Sequence, residues 1–505
     1  VADSFTPGDS FDGEIRVPGV DRVFKPRKIL AVLLIPLAMS LIAVSSVNVA
    51  LATIGVGLNA TDSDLQWVLS GYALAIGIVL VPAGRLGDLI GRGTLFQIGL
   101  ITFVVGSILS GLAPDPTFLN IARIIQGIGG GLFSPQVMGI IQQTFKGQAR
   151  AKAFGLFGMT VAVAVSIGPV LAGALITLIG EENGWRYTFF INVPFGIIGF
   201  ILALYWLPFA NERRRAAARR ERRQAKKNGQ ILPARQRQKI DLDPIGIILL
   251  VTAVLGIMYP FTVRPLRWQL ALIFALAVAL LYAWWQWEAH YTKRGNYPLV
   301  NLDLLKIPSF SMGTIVAGAY FLGSTTTYTI IAMYLQIGLG ASAMVAGTIA
   351  LPSSFFSAVA ARWASNRALK AGRKVVQISL ILMIVGSLFT AVSVALIASH
   401  DINLWWMAAP LSLFGFGQGA FGAVNQTLAL QDVPIQHGGT AGGVKQTVER
   451  IATAIGNAIM TAIYFATAPM YGFHNAVLVA FIAIITAQLF ALLVGYLDLR
   501  RARKA

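Results

Sequence analysis

Fourteen stretches of this chain are apolar for long enough to cross a hydrocarbon layer, and that narrows the possible folds to very few. A bilayer core about 30 Å thick is spanned by roughly 20 residues at 1.5 Å each. No water reaches that depth, so each stretch must satisfy its own backbone, and a helix does so within the segment. The stretches lie near 29–55, 66–84, 94–113, 117–142, 152–178, 187–208, 243–262, 268–287, 309–336, 342–361, 375–397, 404–430, 442–466 and 475–498. Charged residues are 12% of the chain, about half the share of a soluble domain. The predicted class is an all-α polytopic membrane protein.

The gaps between stretches are not alike. Of 40 Lys and Arg, 34 fall in alternate gaps and at the two ends. They include Arg16, Arg22, Lys25, Arg27 and Lys28, then Arg85 and Arg92, then Lys146, Arg150 and Lys152. Twelve lie in 209–242, and others at Lys293, Arg294, Lys306, 362–374 and the last residues. The opposite gaps hold Arg186, Arg264 and Arg267. Basic loops stay on the cytoplasmic side, so both termini are expected there, in a bacterial-type cytoplasmic membrane, and the span count is even. The polar start, 1–28, reads as a cytoplasmic segment before an uncleaved first span. Bundles are expected over 29–208 and 309–498, with two spans at 243–288 and a cytoplasmic tail at 499–505. The basic 209–242 linker suits either anionic headgroups or a docking partner.

Several chemistries drop out. There is no cysteine, hence no thiolate site or disulfide. His290, His400, His437 and His474 are scattered without metal-ligand spacing. A net charge of +19 suggests nucleic acid, but the charges form no single basic module. Asp62 with Asp64, and Asp241 with Asp243, are possible metal-binding acid pairs of a membrane enzyme. No further acids or histidines gather near either, so no enzyme, metal or cofactor is expected.

Gly84-Arg-Leu-Gly-Asp88-Leu-Ile-Gly91-Arg92 sits between the second and third stretches. This resembles the signature loop of the major facilitator superfamily, with Gly84, Asp88, Gly91 and Arg92 matching. The resemblance implies two six-helix bundles, here with two extra central spans, and a loop that latches one conformational state. Arg123-Ile-Ile-Gln126-Gly127 resembles the family's fourth-span motif, associated with proton coupling; a structural arginine bonded to carbonyls is the competing reading. Gly168-Pro169 and Gly173 are similar to the antiporter motif of its drug-exporting branches, with alanines at two of the usual glycines. Trp185-Arg186, Asn192-Val-Pro194, Asp243-Pro-Ile-Gly246 and Gly443-Val-Lys445-Gln446 resemble the fourteen-span drug:proton antiporter branch.

One position departs from that branch. Ala43 stands where relatives often carry a buried first-span acid. Away from the span ends, the ionisable residues picked out by the sequence are Arg123, Lys445, Glu449 and Arg450. Lys445 and Glu449 are one helical turn apart and can pair. Glu449 is then either the proton carrier, set by Lys445 and Arg450, or part of a salt-bridge cluster at a helix end. Trp67, Tyr72, Gln126, Tyr328, Tyr334, Gln336, Asn425 and Gln426 are candidate cavity residues, since aromatics and amides suit lipophilic ligands. The expected function is export of small lipophilic molecules by alternating access, coupled to protons, by a monomer. The alternative cargo is an envelope lipid, fatty acid or anionic metabolite.

Overall fold

The computed structural model describes residues 11, 13–16, 23–180, 182–209, 241–262, 268–400 and 403–504. The first bundle comprises α1 (Pro26–Leu58), α2 (Asp62–Ile90), α3 (Arg92–Gly111), α4 (Pro116–Thr144) and α5 (Gly147–Ile179), followed by α6 (Gly184–Phe190) and α7 (Asn192–Trp206), which make one span. The extra pair is α8 (Pro244–Thr262) and α9 (Trp268–Lys293). The second bundle holds α10 (Pro308–Ser324), α11 (Thr326–Met333), α12 (Ala343–Ser365), α13 (Ala368–His400), α14 (Ala408–Ala429) and α15 (Gly438–Lys504).

Local chemistry sets many of these ends. Thr61 and Asp64 form a reciprocal capping box that starts α2. Asp115 accepts from the Phe118 amide, with Pro116 at the first turn of α4, where its missing N–H costs nothing. Gly91 ends α2 at φ 127°, a backbone angle that side chains resist.

Thirteen helices among the described residues are long and apolar enough to cross a membrane. The last of them runs for 67 residues, about 100 Å at 1.5 Å per residue. It breaks at Gly472, where φ is 80° and ψ 163°. Met460 and Tyr464 before the break share one apolar cluster with Val477, Phe481 and Ile484 after it. The two arms therefore fold back on each other, and each is long enough to cross alone. Apolar side chains such as Phe195, Ile197, Ile198, Ile201 and Leu204 of α7 remain exposed on the outside of the bundle. In water such a face would be a liability; against lipid tails it is the expected surface. The chain is a multi-pass membrane protein.

Close helix contacts rest on small residues. Gly129 of α4 faces α3 so closely that a Cβ there would lie 2.3 Å from the Phe103 amide nitrogen. The extra pair packs on itself and against α2 and α15.

Three expected boundaries shift. Helix α9 continues past 287 to Lys293 and carries Glu288 into the protein, fully buried. Helix α15 absorbs most of the segment assigned to a separate tail at 499–505. Part of the N-terminal segment is folded: β1 (Ile15–Arg16) pairs antiparallel with β2 (Val23–Phe24), Ile15 and Phe24 are buried, and the Phe11 ring sits 5.1 Å from that of Phe145. Residues 210–240 of the linker, and Arg22, Arg264 and Arg267, lie outside the described residues.

Because the obstacle at Gly129 is backbone, it cannot rotate away. Gly129→Ala is expected to lower stability by about 1–3 kcal/mol, the usual scale of overpacking. Thermal unfolding of the detergent-purified protein, compared with an exposed control such as Ile121→Ala, measures this.

Candidate functional site: the seam between the bundles

Asp88 closes the seam at the basic end. It lies near the end of α2, with its side chain 3% exposed, and pairs with Arg92 at 2.8 Å. From the other bundle it accepts the Gly439 amide at 3.1 Å, the Thr440 amide at 2.8 Å and the Thr440 hydroxyl at 2.8 Å. Those two amides belong to the first turn of α15, which has no intrahelical acceptors for them. The carboxylate thus caps a helix in the opposite half, where the helix dipole also favours negative charge. Arg92 extends the contact by donating to the Gly139 carbonyl at 2.7 Å and to the Ile435 carbonyl. A Cβ at Gly84 would lie 2.3 Å from the Gly439 carbonyl oxygen. Thus Gly84, Asp88 and Arg92 meet in one contact, and Gly91 provides the turn between α2 and α3.

Other bonds follow the same band. The Ser134 hydroxyl donates to Gln446 Oε1 at 2.6 Å, Gln142 to the Leu430 carbonyl at 3.0 Å, and Gln148 to the Ser365 carbonyl at 3.1 Å. Among the described residues, the hydrogen bonds joining the two bundles all lie here, toward the basic end. Nearer the opposite end, the helices turn to neighbours in their own half or in the extra pair. Gly168 of α5 meets Ser45 of α1, and Gln66 of α2 donates to the Thr262 carbonyl at the end of α8. Pro169 lies inside α5 at that same crossing. Gly173, the other expected antiporter-motif glycine, faces open space.

The interior charges separate into three environments. Arg123 is fully buried, donating to the Val68 carbonyl at 3.0 Å and to Gln126 Oε1 at 2.5 Å, with its guanidinium 4.2 Å from the Tyr72 ring centre. Among the described residues, no carboxylate approaches it within ion-pair distance. Lys445 pairs with Glu449 and donates to Gln426 Oε1 at 2.6 Å. Arg450 joins neither set: it is half-buried and makes no hydrogen bond or ion pair among the described residues. The expected quartet is therefore a buried arginine bonded to a carbonyl and an amide, a closed Lys–Glu pair and a separate arginine.

The candidate cavity residues divide likewise. Tyr72 bonds to the Ser40 hydroxyl at 2.8 Å, and Tyr328 to the Ser353 hydroxyl at 2.6 Å. Gln126 and Asn425 are corrected as cavity residues. Gln126 is fully buried between Arg123 and the Ser107 hydroxyl, and Asn425 donates to the Gly313 carbonyl. Gln426 is buried too, between Lys445 and the Met138 sulfur. Trp67 packs on Tyr259 of α8, Tyr334 bonds to His474, and Gln336 is exposed on a π-helical turn.

The sequence reading missed a polar cluster where the extra pair meets α2. Asp243 and Glu288 are both fully buried. Asp243 accepts from the Gly246 amide at 3.0 Å and Trp287 Nε1 at 2.9 Å, while Asp241 accepts from the Tyr291 hydroxyl at 2.8 Å. Arg85, beside the latch, is buried within electrostatic reach of Asp241 and Glu288. Glu449 is consequently not the sole carboxylate inside the apolar helices. The signal was an acid one residue past an assumed span end, with Trp284 and Trp287 just before it.

Two helical bundles, bonded across one end of a central seam and built from transmembrane helices, define a membrane transporter. The chain belongs to the Major Facilitator Superfamily, whose sequence profile matches residues 33–457. It is 30% identical over 432 residues to the probable actinorhodin transporter of Streptomyces coelicolor, covering 85% of this chain and 70% of that one. It is 25% identical over 426 residues to the multidrug resistance protein Stp of Mycobacterium tuberculosis, covering 83% and 72%. The fold resembles that of the proton:xylose symporter XylE with a TM-score of 0.62 at 16% identity, over 92% of this chain and 94% of that chain.

Removing the Asp88 carboxylate leaves the amides at the start of α15 without their acceptor. Hydrogen bonds to a charged group contribute about 1.5–3 kcal/mol each, so Asp88→Ala is expected to shift the seam toward opening by at least about ten-fold. With no native cysteine to remove, cysteines at Gln148 and Ser365 report this directly. Their cross-linking slows in the Asp88→Ala background and not in Asp88→Glu to the same degree.

Proposed function

We propose that this protein is a secondary exporter of small lipophilic molecules, working by alternating access and driven by proton antiport. The observation that carries this reading is the placement of the inter-bundle bonds at the basic end only. With the basic side assigned to the cytoplasm by charge bias, the described conformation faces outward, held by Asp88 across the seam. Release of that carboxylate from α15 would open the cytoplasmic side and expose the midplane, where such transporters bind cargo. The names of relatives support export, since one is a probable actinorhodin transporter and another a multidrug resistance protein. The motifs along the chain favour the fourteen-span drug:proton antiporter branch, a monomer in a bacterial-type cytoplasmic membrane and both termini in the cytoplasm.

Proton coupling would fall to Glu449, whose carboxylate pairs with Lys445. A proton on Glu449 ends that ion pair and frees Lys445 beside Gln426, a residue that also touches Met138 across the seam. Protonation is thereby linked to the inter-bundle contact through a short chain of side chains.

A second cargo class has its own support. Ala43, fully buried, replaces the acid expected for cationic drugs, and Arg450 is left without a carboxylate. An envelope lipid, fatty acid or anionic metabolite fits that balance better than a cation.

Everted vesicles test the main reading. Uptake of lipophilic substrates is expected to rise when the vesicle interior is acidified and to collapse with a protonophore. Glu449→Gln should abolish that response, which fluorescence of an entrapped pH dye records. An unchanged proton response in Glu449→Gln would assign the coupling proton elsewhere.

A further inference from the structure

Arg450 occupies an unusual position for a cation. It lies twelve residues into α15 from Gly438, about 18 Å along the helix, inside the apolar stretch read over 442–466. Ionisable side chains at that depth face a cavity or a partner. The direction is set by the turn below: Gln446, four residues earlier on the same face, accepts a hydrogen bond from Ser134 of α4. Arg450 therefore looks into the seam, at the level just beyond the last inter-bundle bond.

The surroundings are polar and basic. Tyr72 of α2 is within electrostatic reach of Arg450, and its hydroxyl is 2.8 Å from that of Ser40 on α1. Arg123 stands behind the Tyr72 ring at 4.2 Å, adding a second positive charge to the same wall. Arg123 already donates to the Val68 carbonyl and to Gln126 Oε1, whereas Arg450 makes no hydrogen bond among the described residues. The carboxylate on the neighbouring residue, Glu449, is held by Lys445 on another face of the helix, so that pair sums to no net charge. At this level of the seam the balance is positive, and the Tyr72 and Ser40 hydroxyls, bonded to each other, can each serve as donor or acceptor.

We propose that Arg450, with the Tyr72 and Ser40 hydroxyls, is the subsite for the negatively charged head of the cargo, and that the preferred substrates are lipophilic monoanions. This rests on the exporter reading above and names its substrate class. A planar guanidinium suits a carboxylate, sulfonate or phosphate monoester, which it can hold by two parallel N–H donors. The apolar body of the cargo would lie along the seam toward the open end. A cation meets two arginines and no free acid, which disfavours it by repulsion as well as by the lack of a partner.

The test uses the purified full chain in liposomes and three relatives of one dye: a naphthalenesulfonate, its neutral sulfonamide and its quaternary ammonium counterpart. Wild type is expected to move the sulfonate at least about ten-fold faster than the ammonium dye. In Arg450→Gln the sulfonate rate falls by at least about ten-fold more than the sulfonamide rate. Arg450→Lys keeps the anion preference in weakened form, and Arg450→Glu reverses it toward the ammonium dye. A fatty acid and an aromatic carboxylate, run in parallel, separate a lipid source of the anion from a soluble one. Should Arg450→Gln prove poorly folded, Tyr72→Phe, which removes a single hydroxyl, is expected to weaken sulfonate transport several-fold. Wild type that moves the ammonium or neutral dye and not the sulfonate overturns the subsite while leaving an exporter. Sulfonate transport unchanged in both Arg450→Gln and Tyr72→Phe overturns it as well. Wild type that moves none of the probes would overturn the exporter reading itself.

Discussion

A carboxylate from one bundle serves as the N-terminal cap of a helix in the other, and the architecture is arranged around that bond. Helix α15 begins at Gly438 with amides that its own turns cannot satisfy, in a place shielded from water. Asp88 supplies the acceptor only while the bundles touch. The glycines at Gly84 and Gly439 let the two backbones approach closely enough for it to do so. Arg92, bonded to the same carboxylate and to carbonyls on both sides, fixes its orientation. The seam therefore closes through a few directional bonds set beside apolar packing, in which Val137 and Phe154 share one cluster with Phe310 and Leu430. Such bonds have a made and an unmade state, so this contact can be broken while each bundle keeps its own packing.

Beyond that contact, the structure keeps its charges apart. The acids of the extra pair, Asp241, Asp243 and Glu288, gather near Arg85 at the basic end of α2, a short distance along the helix from Asp88. The arginines Arg123 and Arg450 flank Tyr72 deeper in the seam. Between these levels sits the neutral Lys445–Glu449 pair. Charges in a poorly screened interior act over longer distances than in water. Their sequence along the seam, acid-rich near one end and basic near the middle, thus sets a field that any ion within it must meet.

Much of the fold was legible in the sequence because the membrane simplifies the problem. Apolar length gives the spans, and loop charge gives their alternation. A pairing one helical turn apart, Lys445 with Glu449, followed from helical periodicity. Contacts between distant segments did not. Gln126 and Asn425 read as cavity amides, yet each is consumed by a partner on a neighbouring helix. Arg450 was grouped with Lys445 and Glu449 by proximity in sequence, although its position on the helix turns it toward the other bundle. Glu288 was missed because a hydropathy boundary fell one residue short, and the tertiary environment, not local composition, decides whether an acid at a span end is solvated.

The unbroken part of α15, from Gly438 to the break at Gly472, is about 50 Å of rigid rod at 1.5 Å per residue. It carries the Asp88 contact at its foot, Lys445, Glu449 and Arg450 along its shaft, and the Tyr464–Phe473 aromatic contact at its head. Such a rod acts as a lever. A small tilt that lifts its foot off Asp88 swings its head the opposite way while the shaft, near the fulcrum, hardly moves. The two ends of the seam are then geared mechanically, so that opening one and closing the other need no separate signal between them.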